Sequence, residues 1–102
     1  MNNITLVGRL ADNPEIFTKD DTTIVSFNFA DNLGPEKVQF FKVYVATTQH
    51  KFVTEYLKKG SPVTIFGSIR ADTYIDKNNI TRTSYRIYAH QIISTQSKKD
   101  VE

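Results

Sequence analysis

The chain has 102 residues, of which 39% are hydrophobic and 24% are charged, and its formal net charge is only +2. That length suits one domain with a single core, and the composition argues against wholesale disorder and against collagen-like structure. There is no cysteine, which excludes disulfides, thiol nucleophiles and zinc ribbons, and the sequence does not open like a secretory signal or contain a membrane-length apolar run, so we expect a cytoplasmic protein.

The positive charge is concentrated in the second part of the chain. Residues 1–36 carry two basic and six acidic side chains, a sum of −4, whereas residues 37–102 carry eleven basic and five acidic ones, a sum of +6. A surface that binds a polyanion needs such an asymmetry, although an ordinary solvated face can show it as well.

Two-residue alternation of apolar and polar side chains dominates the sequence and predicts five strands. They cover residues 4–10, 25–29, 38–46, 62–75 and 81–93. The segments "LADNPEI" and "TKDDTT" separate the first two strands and have the composition of turns. "DNLGPEK" predicts a tight connection to the third strand, and "DKNN" predicts a hairpin turn between the last two.

One segment, "TTQHKFVTEYLKKGSP", follows helical spacing instead. Its apolar residues recur at intervals of three and four, Thr47 or Thr48 can cap its start, and Gly60 followed by Pro62 ends it. One short helix is therefore predicted between the third and fourth strands.

Five strands with a helix at that place have the order of an OB-fold. We therefore predict an all-β protein with a five-stranded, partly open Greek-key barrel. The predicted domain covers residues 1–95, and residues 96–102 are predicted to form a short disordered tail.

The faces of the later strands that point away from the core combine aromatic rings with cations. In the third strand, Phe41, Val43 and Val45 form the natural core face. The outward residues of the last three strands that we select as a binding site are Phe40, Lys42, Tyr44, Phe66, Arg70, Tyr74, Arg82 and Arg86. Unpaired bases stack on rings while cations follow the phosphates, so this pattern predicts a surface for single-stranded nucleic acid.

Other roles for these rings stay open at this point. Phe40, Phe66 and Tyr74 could cover the open end of a small barrel, form a subunit interface, or belong to a protein-interaction module. Cross-strand pairing favours a structural role for Tyr85 and Tyr88, since paired Tyr and Arg side chains stabilise hairpins.

The sequence supports a catalytic or metal-binding role less well than a nucleic-acid-binding one. His50 and His90 have no cysteine or nearby carboxylate partner at ligand spacing. Four amino-terminal carboxylates could hold magnesium in a nuclease, but their setting in turns favours capping and solvation. These are Asp12, Glu15, Asp20 and Asp21. We predict no enzymatic activity, no cofactor and no metal site.

Two separated segments resemble bacterial single-stranded DNA-binding proteins. "NNITLVGRLADNPEI" is similar to the opening of that family, in which a strand ending in Val-Gly-x-Leu precedes an Asp-Pro-Glu turn, with Asn13 here in place of the Asp. "TEYLKKGSPVTIFGSIR" is similar to the family's helix end, Lys-Gly turn and fourth strand. The resemblance covers about residues 1–95 and implies an OB-fold that binds single-stranded DNA with little sequence preference, usually as a homotetramer, in replication, recombination and repair.

The resemblance also implies site residues. The family's stacking ring in the third strand, its basic neighbour and the aromatic of the last hairpin fall on Phe40, Lys42 and Tyr74. Ala46 stands where many relatives have a second stacking Phe, so we expect affinity to fall or to move to Tyr44 or Phe66. The short "DNLGPEK" connection predicts a smaller footprint on DNA for each subunit.

The chain ends at Glu102 without the Gly-, Pro- and Gln-rich linker and acidic, Phe-tipped tail of the cellular proteins. We expect either a trimmed core or a short variant such as a phage or mobile-element protein, with a tailless, dimeric primosomal replication protein as the nearest alternative. The expected partners are single-stranded DNA, further copies of the chain (a tetramer rather than a dimer), and replication or recombination proteins. The exposed side of the first strand, with Phe41 and Val43, is a candidate contact with a second copy.

Overall fold

A computed structural model describes residues 2–94, so the tail predicted at 96–102 lies outside the described residues. The described residues form six strands and one short α-helix. The strands are β1 (Ile4–Leu10), β2 (Glu15–Lys19), β3 (Thr22–Gly34), β4 (Lys37–Val45), β5 (Pro62–Ile75) and β6 (Thr81–Ser94). Between β4 and β5, a 3₁₀ turn (Thr47–Gln49) leads into α1 (His50–Tyr56).

Five of the strands close into a barrel. They follow the order β1-β5-β6-β4-β3, and β1 returns to pair with β3 through Arg9 and Leu10. All neighbouring strands are antiparallel except β4 and β6, which run parallel. β2 extends the sheet beyond β3. This closed barrel, with its one helix between β4 and β5, confirms the predicted OB-fold.

The inward residues of the barrel strands form a single core. Phe27 and Phe29 of β3 and Ile65 of β5 are fully buried, and Val53 of the helix joins the same cluster. Val43 of β4 is also fully buried, so the prediction that it contacts a second copy is wrong: it belongs to the protomer's own core. Burial of such side chains contributes about 1.5–3 kcal/mol each, which makes this cluster the main source of stability.

β2 is absent from the five strands predicted from the sequence. All five of its residues are exposed, so there is no alternation between buried and exposed side chains to mark it as a strand. The predicted turn "TKDDTT" contracts to Asp20 and Asp21, which have φ angles of 48° and 66°. Asp tolerates this left-handed region better than most residues. The two aspartates thus connect β2 and β3 as a tight hairpin.

The helix begins differently from the prediction. Thr47 and Thr48 lie within the 3₁₀ turn, and neither caps α1. Gln49 stands at the cap position but makes no side-chain cap hydrogen bond, because its side-chain oxygen accepts the N–H of Ile92 in β6. The helix also ends earlier than predicted: α1 stops at Tyr56 with Leu57 in an extended conformation at its C-cap, and Gly60, with a φ of 89°, lies in the turn that follows. No helix within residues 2–94 is long and apolar enough to cross a membrane.

Candidate nucleic-acid interface

The register between strands brings binding residues from β4, β5 and β6 onto one face. Residues that lie directly opposite each other in a sheet point to the same side. Lys42 of β4 lies opposite Arg86 of β6, which lies opposite Arg70 of β5. The next row of the same face pairs Tyr44 with Tyr88. We call these five residues the central array.

Direct contacts hold the rings and cations of the central array together. The guanidinium of Arg70 lies 4.4 Å from the ring centroid of Tyr88. The Tyr88 ring stacks on Tyr44 with a centroid distance of 5.6 Å and an interplanar angle of 24°. The guanidinium of Arg86 lies 5.6 Å from the Tyr44 centroid. These distances are typical of cation–π attraction and offset stacking, so the side chains are ordered before any ligand arrives.

Tyr88 is absent from the site residues predicted from the sequence. Its place in the alternation along β6 is visible there, but pairing of Tyr with Arg across strands favours a structural role. What makes it central is the parallel pairing of β4 with β6, which places it beside Tyr44. Periodicity within one strand carries no information about which distant strand lies next to it. Tyr85, three residues earlier, points to the opposite face of β6 and is 58% exposed.

Two carboxylates lie against cations of the array. Asp72 Oδ2 is 3.1 Å from Arg86 Nε, and Glu15 Oε2 of β2 is 3.7 Å from Lys42 Nζ. Hydrogen bonding with Tyr88, then the proximity of Tyr44 and Asp72, raises the pKa of Arg86, so this residue is always a cation. Because exposed ion pairs contribute little to stability, a phosphate group can replace either carboxylate beside its cation.

Tyr74 and Arg82 lie opposite each other near the tip of the β5–β6 hairpin, and Tyr74 is half exposed. The Asp76 carboxylate pairs with Arg82 and also accepts the backbone N–H groups of Ile80 and Asn78. The hydrogen bond from Arg82 is the main cause that lowers the pKa of Asp76, and the two backbone donors add to it. This turn confirms the predicted "DKNN" hairpin and anchors Arg82 at its tip.

The two predicted phenylalanines lie in different places. Phe40 is 62% exposed on the outward face of β4, two residues before Lys42, and so continues the face of the central array. Phe66 is 36% exposed and lies opposite Thr5 of β1 and Gln91 of β6, beyond a bulge in the β5–β6 pairing. None of the ring and cation contacts within residues 2–94 includes Phe66. The structure therefore separates it from the array.

Gly67 sets the position of Tyr88. A Cβ atom at Gly67 would lie 2.0 Å from the carbonyl oxygen of Tyr88, far closer than two non-bonded heavy atoms can approach. Only glycine allows β5 to approach β6 this closely. The approach coincides with the bulge, where Gly67 pairs with Ala89.

The amino-terminal carboxylates are engaged in local structure. Asp12 accepts both the backbone N–H and the side-chain amide of Asn28. Asp20 and Asp21 form the turn between β2 and β3. Across residues 2–94, no three His, Asp or Glu side chains come together in a way that could hold a metal ion.

Comparison with known proteins identifies the family. The sequence profile described as "Single-strand binding protein family" matches residues 1–95. The chain belongs to this family. It is 29% identical over 101 residues to the single-stranded DNA-binding protein of Malacoplasma penetrans, an alignment that covers 96% of this chain and 53% of that protein. It is 28% identical to the single-stranded DNA-binding protein of Neisseria meningitidis serogroup B, with 90% and 58% coverage.

The chain spans about half the length of these two bacterial relatives. Two solved structures share its fold. The mitochondrial single-stranded DNA-binding protein Rim1 from S. cerevisiae superposes with a TM-score of 0.83 at 17% identity, covering 93% of this chain and 95% of Rim1. The Plasmodium falciparum SSB, in complex with single-stranded DNA, superposes with a TM-score of 0.77 at 21% identity, covering 94% and 96%.

Proposed function

We propose that this chain is a non-catalytic protein that binds single-stranded DNA with little sequence preference and protects it during replication, recombination and repair. The central array is the observation that carries the proposal, because it presents rings and fixed cations side by side on one face. Every base has a π face, so stacking on rings requires no reading of base edges. Membership of the single-strand binding protein family supports the same function.

The array suggests how the DNA lies. Arg70, Arg86 and Lys42 form one row across three strands, and Tyr88 and Tyr44 form the adjacent row. The two rows are two residues apart along each strand, or roughly 6–7 Å. A DNA strand that crosses the β-strands can therefore place its phosphates along the cation row and its bases along the ring row.

Each predicted site residue has a role in this proposal. The stacking residues are Tyr44, Tyr88, Phe40 and Tyr74, and the phosphate partners are Lys42, Arg70, Arg82 and Arg86. Arg70 covers the Tyr88 ring in the free chain. A base that stacks on Tyr88 therefore displaces the guanidinium, which then turns towards the phosphates. Phe66 keeps a subordinate role, since it lies beyond the bulge.

Titration of labelled oligo(dT) at several salt concentrations tests the proposal. Four phosphate contacts predict a slope of log K against log salt of about −3, at roughly −0.7 for each contact on a single strand. Arg70→Gln should reduce the slope by about 0.7. Lys51→Gln, which removes an exposed cation from the helix, is the control and should change neither slope nor affinity.

Several outcomes would contradict the proposal. One is affinity for single strands that salt does not change, and another is equal affinity for a duplex of the same length. A preference for a protein partner would favour an interaction module. Cleavage of labelled single strands in the presence of magnesium would favour the nuclease alternative.

We also propose that the chain assembles into homo-oligomers, with a tetramer favoured over a dimer. Val7 is 66% exposed and Ile93 is 45% exposed, and both lie opposite Thr64 on the outer face of β1, β5 and β6. Neighbouring apolar side chains on one face are typical of a subunit contact. Sedimentation of the chain and of Val7→Lys with Ile93→Lys tests this: the double variant should sediment as a smaller species, and a monomeric parent chain would refute it.

A further inference from the structure

β2 carries an aromatic side chain that the proposed site does not include. Phe17 is 60% exposed, and Ile24, which lies directly opposite it on β3, is 41% exposed. An exposed ring facing an exposed aliphatic side chain forms an apolar surface that nothing within the described chain covers. Exposed apolar side chains occur elsewhere on the described chain as well, so it is the position of this pair relative to the array that points to a ligand.

Two observations place Phe17 on the same face as the central array. Glu15, two residues before Phe17 and hence on the same side of β2, reaches Lys42 of the array. Ile24, on the side of Phe17 by register, lines a shallow groove of about 290 Å³ together with Tyr44, Arg86 and Tyr88. The apolar surface is therefore continuous with the array across β3.

We propose that Phe17, supported by Ile24, is an additional base-stacking site for single-stranded DNA, reached as the strand leaves the central array towards β2. This inference rests on the proposed function. The row of Tyr44 continues through Ser26 of β3 to Glu15 of β2, and Ile24 and Phe17 form the next row. A nucleic-acid occupant fits because Ile24 shares the groove with Tyr44 and Tyr88. Lys19 is exposed two residues beyond Phe17 on the same side of β2, where it can meet the next phosphate.

The length of the DNA separates this site from the array. A short oligo(dT) of about 6 nucleotides occupies the central array, whereas one of about 16 nucleotides extends over β2. Phe17→Ala should lower affinity for the longer oligomer by about 5- to 150-fold, the range measured for loss of one stacking ring, and leave the short one unchanged. Phe17→Leu, which keeps an apolar side chain but removes the π face, should give most of the same loss.

Ile16→Ala is the matched control. Ile16 is as exposed as Phe17, at 60%, but lies opposite the buried Val25 and so points to the other side of β2. It should change the affinity for neither oligomer. Because these side chains are exposed, all three variants should keep the circular dichroism spectrum of the parent chain.

Three results would overturn the inference. Phe17→Ala could leave the affinity for the longer oligomer unchanged, could weaken both oligomers equally, or could change the sedimentation of the DNA-free protein, which would assign the surface to a subunit contact. A failure of the proposed function gives a different result: the parent chain would then bind neither oligomer, which would contradict both proposals.

Discussion

The central array and the tip of the β5–β6 hairpin share one sequence pattern but differ in how firmly neighbouring residues hold their side chains. Both place rings beside cations on the outward side of β5 and β6, and the array includes β4 as well. In the array, Tyr88 is in contact with Arg70 on one side and Tyr44 on another. At the tip, Tyr74 is half exposed, and Arg82 pairs with the turn residue Asp76.

The difference follows from the number of strands at each place. β4 pairs with β6 between Arg86 and Ala89 only, so the array lies on three strands above buried Ile87, whereas the tip is a two-stranded ribbon. Side chains on a wider sheet have more cross-strand neighbours and are ordered before binding, which reduces the entropy lost when DNA binds. The array should therefore supply more affinity than the tip.

The largest expected effect is at the array. Tyr44→Ala combined with Tyr88→Ala removes two stacking rings and should weaken binding to single-stranded DNA by more than about 30-fold. Fluorescence anisotropy with labelled oligo(dT) measures this. Tyr85→Ala removes a ring from the opposite face of β6 and should change affinity little, so an equal loss in that variant would argue against the array.

Gly67→Ala should disturb the array through the backbone. The added Cβ would meet the Tyr88 carbonyl oxygen, and forced separation of packed strands costs about 1–3 kcal/mol in the free energy of unfolding. Urea denaturation measures the loss. Gly60→Ala is the comparison. Open space surrounds its Cβ position, so a loss of stability in that variant reflects the φ of 89°, which strains any L residue, and not a clash. An unchanged Gly67→Ala variant would show that β5 can move away from β6.

Tyr74→Ala sharpens the contrast between the two regions. A ring at a less ordered tip should contribute at the lower end of the stacking range, so we expect about a 5-fold loss of affinity. The measurement is the same anisotropy titration at the same salt concentration. A loss as large as that of the Tyr44 and Tyr88 pair would mean that order in the free chain does not govern affinity.

Asp72→Asn should strengthen binding. The substitution removes the carboxylate that lies 3.1 Å from Arg86 Nε, so a phosphate no longer has to replace it. We expect affinity to rise by about 2-fold, as an exposed ion pair is weak, and the gain to shrink at high salt. Glu55→Gln, at an exposed position of α1, removes the same charge from the helix that also carries the Lys51 control and serves as the control here. Weaker binding by Asp72→Asn would contradict the proposed competition.

The smallest effect concerns pH at the tip. The pKa of Asp76 is lowered from 3.8, chiefly by Arg82. The turn is therefore stabilised above pH 3.8 and loses this contribution as the pH falls through the lower, folded-state pKa. The amide resonances of Asn78 and Ile80, which donate to Asp76, should stay constant from about pH 8 to 5 and shift only in more acidic solution. Shifts near neutral pH would contradict this assignment.

Much of the fold could be predicted from local pattern, because half-buried strands alternate and turns use a few residue types. β1, β4, β5 and β6 lie within a residue of their predicted bounds. The prediction failed at β2, where no side chain is buried. It also failed at the start of the helix: Gln49, and not Thr47 or Thr48, stands at the cap position, and its side chain accepts a hydrogen bond from the distant Ile92.

The sequence by itself determined which residues of each strand face outward, since a two-residue period assigns faces without reference to any other strand. Phe40, Lys42, Tyr44, Arg70 and Tyr74 are accordingly outside the core. Only the tertiary structure decided which of these residues meet. Pairing between strands far apart in the chain brought Tyr88 to Tyr44, placed Glu15 against Lys42 and left Phe66 beyond a bulge, because neighbours across a sheet depend on topology and register rather than on spacing along the chain.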